Sequence, residues 1–393
     1  MKRLFIIGAS VLQLPAIRRA KELGFFVGVA DYNPQAVGVS LADEYFNVST
    51  IDEKGVFEAA KQFRADGIMT LATDMPMRSV SYACERLNLT GISYDTAVKT
   101  TDKGDMIKAF EAHGVEHPWF FIVQDEEALT QIKSRITYPC ISKPTDNSGS
   151  RGVVLIENEL ELENAVRYSR NNGRKGGVII EEYLTGQEVS VEIMAIDGYV
   201  NVLQVTDKIT TGAPHFVEMG HTQPSRLPSK DVEAIKDLAK RAVKSVGIND
   251  GPAHVEIMLT NNGPRMIELG ARMGGDCITT HLVPLSTGVD MVEATMRVSL
   301  GEKPDVEKKY DKGSAIRYFR VPTGVIERIE GTDEARAIPG VVDVTFTKNI
   351  GDRAGEIGSS TDRIGFVIAQ GADADDAERI CVKALEAICI TVE

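Results

Sequence analysis

The sequence predicts a mixed α/β and α+β protein: a doubly wound N-terminal unit, a long α+β region that includes a lid, and a small α/β tail. Three observations predict it. Residues 1–96 alternate short apolar runs with amphipathic helical stretches, the pattern of a parallel sheet covered by helices. From Asp102 onward, strands gather around glycine-containing turns with helices set to one side. Gly301-Glu302-Lys303-Pro304 then ends a helical pattern and separates the tail. The expected units are 1–96, 97–304 with a lid near 118–183, and 305–393.

Each element follows from local pattern. The apolar run 4–7 ends at Gly8, a helical pattern covers 14–23, and a second apolar run, 26–30, ends at Asp31. A helix at 54–64, a strand at 67–72 and a helix at 77–87 complete the first unit. The turn Gly8-Ala9-Ser10-Val11-Leu12 lacks the GxGxxG spacing of a dinucleotide site and reads as a tight turn opening a helix. Thr73-Asp74-Met75-Pro76 lies where a strand meets a helix, a position suited equally to a polar binding loop and to a plain helix cap. In the second region helices are expected at 103–113, 126–135 and 159–171, with strands at 119–123, 140–143, 153–156 and 178–182. Strands at 188–196 and 200–206 follow, then a helix at 230–246 and a hairpin, 253–259 and 265–269, turned by Asn261-Asn262-Gly263. A helix at 290–300 closes the region, and residues 314–393 alternate short strands with two helices and carry no ligand motif.

Bulk properties narrow the function. The chain has 393 residues, 43% hydrophobic and 26% charged, the balance of a packed, multidomain globular protein. A net charge of -13 argues against a nucleic-acid partner, because backbone phosphates are met by clustered Lys and Arg. The five cysteines show no CxxC or zinc-like spacing. The opening MKRLFIIGAS runs straight into a glycine turn and reads as a first strand, and no stretch is apolar for long enough to span a bilayer, so no membrane partner and a cytoplasmic location are expected.

Four features carry chemistry. Lys103 and Lys143, the latter at the end of the apolar strand Cys140-Ile141-Ser142, suit a phosphate clamp. The loop Ser148-Gly149-Ser150-Arg151-Gly152 lies between two strands and can turn backbone N–H groups, hydroxyls and a guanidinium toward an anion, although a hairpin loop would use the same glycines. It lacks the GxxxxGK(S/T) spacing of a P-loop. The stretch Glu181-Glu182-Tyr183-Leu184, with Glu188 beyond, leaves the lid for a second sheet, where backbone groups can bond a flat base and a carboxylate can accept ribose hydroxyls. Glu256 and Glu268 face each other across the hairpin, flanked by apolar residues. Two buried carboxylates on one face call for a cation between them, and hard oxygen ligands suit magnesium. Just beyond, Arg272 is set to stabilise a phosphoryl or acyl phosphate group, and Gly274 and Gly275 allow close approach of substrate. Further substrate candidates are Thr73 and Asp74, the segment Lys208 to Gln223 with His215, Glu218 and His221, and His281 and Arg317.

Taken in this order, the residues resemble the ATP-grasp superfamily over almost the whole chain. The resemblance implies an ATP-grasp fold with an N-terminal pre-ATP-grasp domain, and ATP with magnesium, or manganese, as cofactors. It implies that Lys103 and Lys143 contact phosphates and that Ser150, Arg151 and Gly152 lie in a closing loop. Glu181, Glu182, Tyr183 and Leu184 would meet adenine, Glu188 the ribose, and Glu256 and Glu268 the metal. Asp74, His221, Arg272, Gly274 and Gly275 are the substrate set. Gly270 stands where many members carry a ligating Asn, and the segment from Glu268 to Gly275 is similar to that of the L-amino-acid ligases; the first domain and tail also look like the purine-synthesis ligases and the carbamoyl phosphate synthetase large subunit.

The activity implied is an ADP-forming carboxylate-amine ligation through an acyl phosphate, with Arg272 and Lys143 as the catalytic side chains and small-molecule acid and amine partners, acting on amino acids or a purine-pathway amine. A homodimer is compatible with it. Bicarbonate activation, as in biotin carboxylase or carbamoyl phosphate synthetase, is the alternative enzyme. A non-catalytic nucleotide sensor is the alternative of another class, and it would not need the paired glutamates.

Overall fold

The computed structural model describes every residue except Ser148, Ser150 and Lys175. Its first layer is built from β1 (Arg3–Ile7), α1 (Leu14–Glu22), β2 (Phe26–Asp31), β3 (Glu44–Asn47), α2 (Glu53–Phe63), β4 (Gly67–Met69), α3 (Met77–Leu87) and α4 (Tyr94–Lys99). The strands pair in parallel in the order β3-β2-β1-β4. Side chains alternate across β1 as a pleated strand requires. Leu4 and Ile6 pack in one cluster with Ile17 of α1, and Phe5 and Ile7 in another with Phe63 of α2 and Val80 of α3. Strand β3 and helix α4 are additions to the sequence reading, and β4 stops at Met69 rather than at residue 72.

A second sheet forms from β5 (Phe120–Val123), β6 (Cys140–Pro144), β7 (Val154–Ile156) and β8 (Val178–Glu182), all antiparallel in the order β5-β8-β6-β7. Helix α5 (Lys103–Ala112) precedes it, and α6 (Glu126–Ile132) and α7 (Leu162–Asn172) belong to it. Asp102 caps α5 by accepting from the N–H groups of Gly104 and Asp105, a contact worth about 1 kcal/mol. That cap fixes Lys103 at the first turn.

The third sheet is the largest. It starts with β9 (Gln187–Ile196), β10 (Tyr199–Thr210), β11 (Glu218–Gln223), β12 (Gly251–Thr260) and β13 (Gly263–Gly270), backed by α8 (Ser229–Val246). Val189, Val191 and Ile193 of β9 bury against Leu238, Ala242 and Val243 of α8 and Phe110 of α5. After α9 (Val283–Thr287) and α10 (Met291–Ser299) come β14 (Gly313–Tyr318), β15 (Gly324–Glu330), α11 (Thr332–Arg336), β16 (Val341–Phe346), β17 (Arg353–Ala354), β18 (Gly365–Gly371), α12 (Ala374–Ala387) and β19 (Cys389–Val392). Three of the tail strands join the large sheet, whose order is β13-β12-β9-β10-β11-β14-β18-β16. Hydrogen bonding thus runs unbroken from the hairpin at one edge across to the tail. Helix α10 also turns back, and Met291, Val292 and Met296 share a core with Leu4 and Ile6. Among the described residues, no helix is long and apolar enough to cross a membrane.

Candidate functional site

The sheets meet around a cleft of about 590 Å³, and its wall includes Lys103, Lys143, Glu256 and Glu268 together. Each arrives by a local rule. Ile141 of β6 pairs with Glu181 of β8, so Lys143, two residues along β6, shares a face with that carboxylate. Its ammonium lies 2.6 Å from Glu181 Oε1. Lys103 lies 3.0 Å from Glu268 Oε2 and donates to the carbonyl of Asn147 at 2.8 Å. Burial alone would lower the pKa of Lys103, but the Glu268 carboxylate more than offsets this and raises it, so the side chain stays charged.

Glu256 and Glu268 are direct partners in the β12–β13 register, which sets both carboxylates on one face of the hairpin. Glu256 is also the centre of a buried charge network. Its Oε2 is 3.0 Å from Lys208 Nζ, and its Oε1 is 3.4 Å from His254 Nε2. Lys208 reaches Glu188 as well and lies 3.7 Å from Glu218. On the other side of the ring, His254 Nδ1 lies 2.9 and 3.1 Å from the two oxygens of Glu192, a fully buried carboxylate that also accepts from Ser190 Oγ at 2.9 Å. Burial disfavours the imidazolium, yet the Glu192 charge and hydrogen bond outweigh it and push the His254 pKa up to about 9. Burial likewise works against the Glu256 anion, but Lys208 and then His254 hold its pKa well below the usual carboxylate range. Glu188 is shifted the other way, upward, by burial in the first place, with Lys208 opposing.

The pair His254 and Glu192 does not belong to the sequence-predicted site, and Lys208 enters it only as the first residue of the substrate-candidate segment 208–223, not as a partner of Glu256. The expected strand ended at residue 206, whereas β10 continues to Thr210 and carries Lys208 into the sheet. Among the described residues, no group of three or more His, Cys, Asp or Glu side chains is arranged to hold a metal ion. Two facing carboxylates with open cleft beside them fit a magnesium ion that takes its remaining oxygens from phosphates and water.

Arg272 lines the cleft together with both glutamates, but its immediate partner is Asp74: Nε donates to Oδ1 at 2.8 Å and Nη2 to Oδ2 at 3.2 Å. This pair explains Gly270. A Cβ there would sit 2.6 Å from Asp74 Oδ1 and 3.2 Å from Arg272 Nε, so an Asn side chain has no room while the pair stands.

The remaining expectations divide. Arg151, Glu181, Glu182, Tyr183, Leu184, Glu188, Asp74, His221 and Gly275 all line the cleft. His221 is buried, and among the described residues its Nδ1 has no hydrogen-bond partner. Ser150 lies outside the described residues. Gly152 does not line the cleft; it is a buried turn at φ +81°, where a Cβ would lie 2.7 Å from Asn172 and 3.0 Å from Pro144. Gly274 is also off the wall, packed on the network beneath it, where a Cβ would meet His254 Nδ1 at 2.7 Å. His215, His281 and Arg317 line no part of the cleft, and Arg317 instead braces β11 by donating to the His221 carbonyl at 2.8 Å. The tail, read as bare of ligand motifs, supplies Ser359, Ser360 and Thr361 to the wall. Beside them, Arg363 makes a two-toothed pair with Asp276, at 2.7 and 2.8 Å.

Two segments of the chain match known domain families. The ATP-grasp domain family matches residues 136–280, and L-amino acid ligase C-terminal domain 2 matches residues 317–393. The chain thus carries an ATP-grasp domain followed by an L-amino acid ligase C-terminal domain. Alanine–anticapsin ligase of Bacillus subtilis (strain 168) is 27% identical to this chain over 314 residues, covering 74% of this chain and 66% of that one. In structure, the chain superposes on L-amino acid ligase from Bacillus licheniformis with a TM-score of 0.87 at 24% identity, covering 100% and 99% of the two chains. It superposes on phosphoribosylglycinamide synthetase from Anaerococcus prevotii with a TM-score of 0.81 at 25% identity over 100% of both.

Proposed function

We propose that this ATP-grasp ligase joins a small carboxylic acid, an amino acid or a near relative of one, to an amine with conversion of ATP to ADP and phosphate. The observation that carries the reading is the facing pair Glu256 and Glu268, opposite Lys103 and Lys143 on one cleft. A substrate carboxylate oxygen attacks the γ-phosphorus, the bond to the bridging oxygen breaks, and ADP leaves. The amine nitrogen then attacks the acyl carbon, the carbon–oxygen bond breaks, phosphate leaves, and the amine releases a proton.

The protein's part is to position and to neutralise charge. Lys143 and Lys103 flank the phosphates, and the segment from Glu181 to Leu184 receives the base. Lys208 and His254 hold Glu256 ionised and fixed. Magnesium, held by Glu256 and Glu268, would supply positive charge at the terminal phosphates. Arg272 is aimed by Asp74 at the same point. No protein nucleophile is needed for this chemistry.

The relatedness to alanine–anticapsin ligase and to the L-amino acid ligase C-terminal domain favours amino-acid-like acids over bicarbonate. The test is phosphate release from MgATP with pairs of amino acids, against bicarbonate alone, with hydroxylamine to trap the acyl phosphate. Bicarbonate-dependent ADP formation without an amino acid would overturn the reading in favour of a carboxylase. Glu268→Gln is expected to lower turnover by about a hundredfold or more. Its unfolding midpoint should stay within about 3 °C, since Lys103 keeps its bond to Asn147. Full activity in that variant removes the metal assignment.

A further inference from the structure

Arg363 stands in the tail, between β17 and β18, and lines no part of the cleft. Its hydrogen bonds nevertheless end on three residues that do. Nε donates to the carbonyl of Ser360 at 2.9 Å, and Nη1 donates to the carbonyl of Glu218, where β11 begins, at 3.0 Å. The two terminal nitrogens together grip the Asp276 carboxylate at 2.7 and 2.8 Å. Below the guanidinium lies the ring of Tyr318, with Cζ 3.9 Å from its centroid. One side chain thus ties a tail loop, a strand of the large sheet and the segment just beyond Arg272 into a single wall.

Asp276 passes this restraint on. It and Cys277 take left-handed backbone, φ +50° and +60°, which two successive residues with side chains hold only when their surroundings fix them. Burial works against the Asp276 anion, but Arg363 and then His221 keep it ionised. An ionised carboxylate can only accept, so His221 Nε2, 3.4 Å from Asp276 Oδ2, must carry the ring hydrogen. Because Arg363 already supplies the positive charge, the ring has only to supply that hydrogen. In the neutral ring Nδ1 is then a bare acceptor. His221 lines the cleft and is 1% exposed, and among the described residues Nδ1 has no partner. A buried acceptor without a donor is costly, and the occupant of the cleft is the group that can provide one.

We propose that Arg363 is a positioning residue for the acid substrate. It fixes the wall through Ser360, Glu218 and Asp276, and through Asp276 it holds His221 in the tautomer whose Nδ1 accepts a hydrogen bond from that substrate. The inference rests on the ligase reading and gives the tail a part in the reaction.

The test has a spectroscopic arm and a kinetic arm, both on the full chain. In the nitrogen NMR spectrum of protein labelled at its six histidines, with His221 assigned by its loss in His221→Gln, the wild type shows hydrogen on Nε2 and a bare Nδ1. Arg363→Met mixes the two tautomers, and Arg363→Lys keeps more of the wild-type pattern. In hydroxamate formation from MgATP and hydroxylamine, Arg363→Met raises KM for the activated acid by about tenfold, the worth of one buried hydrogen bond. KM for ATP stays within about threefold, since no nucleotide contact is touched. The double variant Asp276→Asn with Arg363→Met removes both charges, and so regains stability without regaining the low KM for the acid, a split that a merely structural pair cannot give. Hydrogen on Nδ1 in the wild type, an unchanged tautomer in Arg363→Met, or KM values for acid and ATP that rise together overturn the assignment. Failure to form a hydroxamate with any acid sinks the ligase reading instead, and the tautomers still decide whether Arg363 governs His221.

Discussion

Gly270 sets the local arithmetic of the site. Where a relative with Asn at this position would gain an oxygen ligand, here the space is taken by the Asp74–Arg272 pair, 2.6 Å from the point a Cβ would occupy. Gly270→Asn is therefore expected to lower kcat/KM by about tenfold through displacement of Arg272, rather than to improve metal binding. A gain in activity with tighter manganese binding would count against that account. Asp276 makes a second, separable case. Burial would raise its pKa, but Arg363 and His221 reverse this and hold it far below the usual carboxylate value. A depressed folded-state pKa stabilises the fold above the unfolded pKa, and the contribution is lost as pH falls below about 4. Asp276→Asn strands the Arg363 charge, and should cost about 3 kcal/mol at neutral pH. Between about pH 5 and pH 3 its stability should also fall less steeply than that of the wild type, as read from urea midpoints. Parallel pH profiles for the two proteins would show that the pair contributes nothing.

The corner between β8 and β9 decides how the base-binding segment meets the large sheet. Gly186 turns there at φ +154°, and a Cβ would lie 1.9 Å from the carbonyl oxygen of Leu259 on β12. Gly186→Ala must push β9 off its Gln187–Leu259 register, at a cost of about 2–3 kcal/mol, and should weaken ADP binding in step. Denaturant midpoints and calorimetric titration with MgADP would check it, and wild-type values for both would refute it. Elements of this kind differ in how readable they are. Strand β8 and helix α3 match their expected bounds because an unbroken apolar run and a one-sided helical stripe leave no rival period. Strand β11 reads Glu-Met-Gly-His-Thr-Gln and has no apolar alternation at all, yet five of its six residues are buried. Its polar groups are satisfied by partners far away in sequence, as when Gln223 bonds Thr206 and Ser286. The facing glutamates were visible because apolar neighbours put a charge where none should be. His254 and Glu192 were not, and Lys208 only as the start of the candidate segment 208–223, since each is explained only by a cross-strand partner, and Ser359 to Thr361 belong to a short 3-10 turn that carries no ligand motif in sequence.

Across the whole molecule, the tail is bound to the rest by hydrogen bonds of the sheet rather than by a simple linker. Strand β14 pairs with β11 from Ser314 to Arg317, and Ile316 buries with Met219, Ile278 and Leu282. Arg226 extends the bond by reaching Glu378 of α12, and Arg317 meets the same carboxylate at 2.5 Å. Dividing the chain at residue 304 is useful for naming its parts, but the sheet crosses that line. A chain cut after Pro304 would leave β11 as an open edge, strip the cover from Met219 and Leu282, and remove Arg363 from Asp276. The expected outcome is an aggregating protein, or one that binds a hydrophobic dye and unfolds without a cooperative transition. Restoring residues 305–393 as a separate chain should not rescue it, because β14 lies between β11 and β18 and must pair on both sides. A soluble, cooperatively folding 1–304 fragment that binds MgADP like the full chain would instead mean that the continuous sheet adds little, and that the tail serves only the substrate end of the cleft.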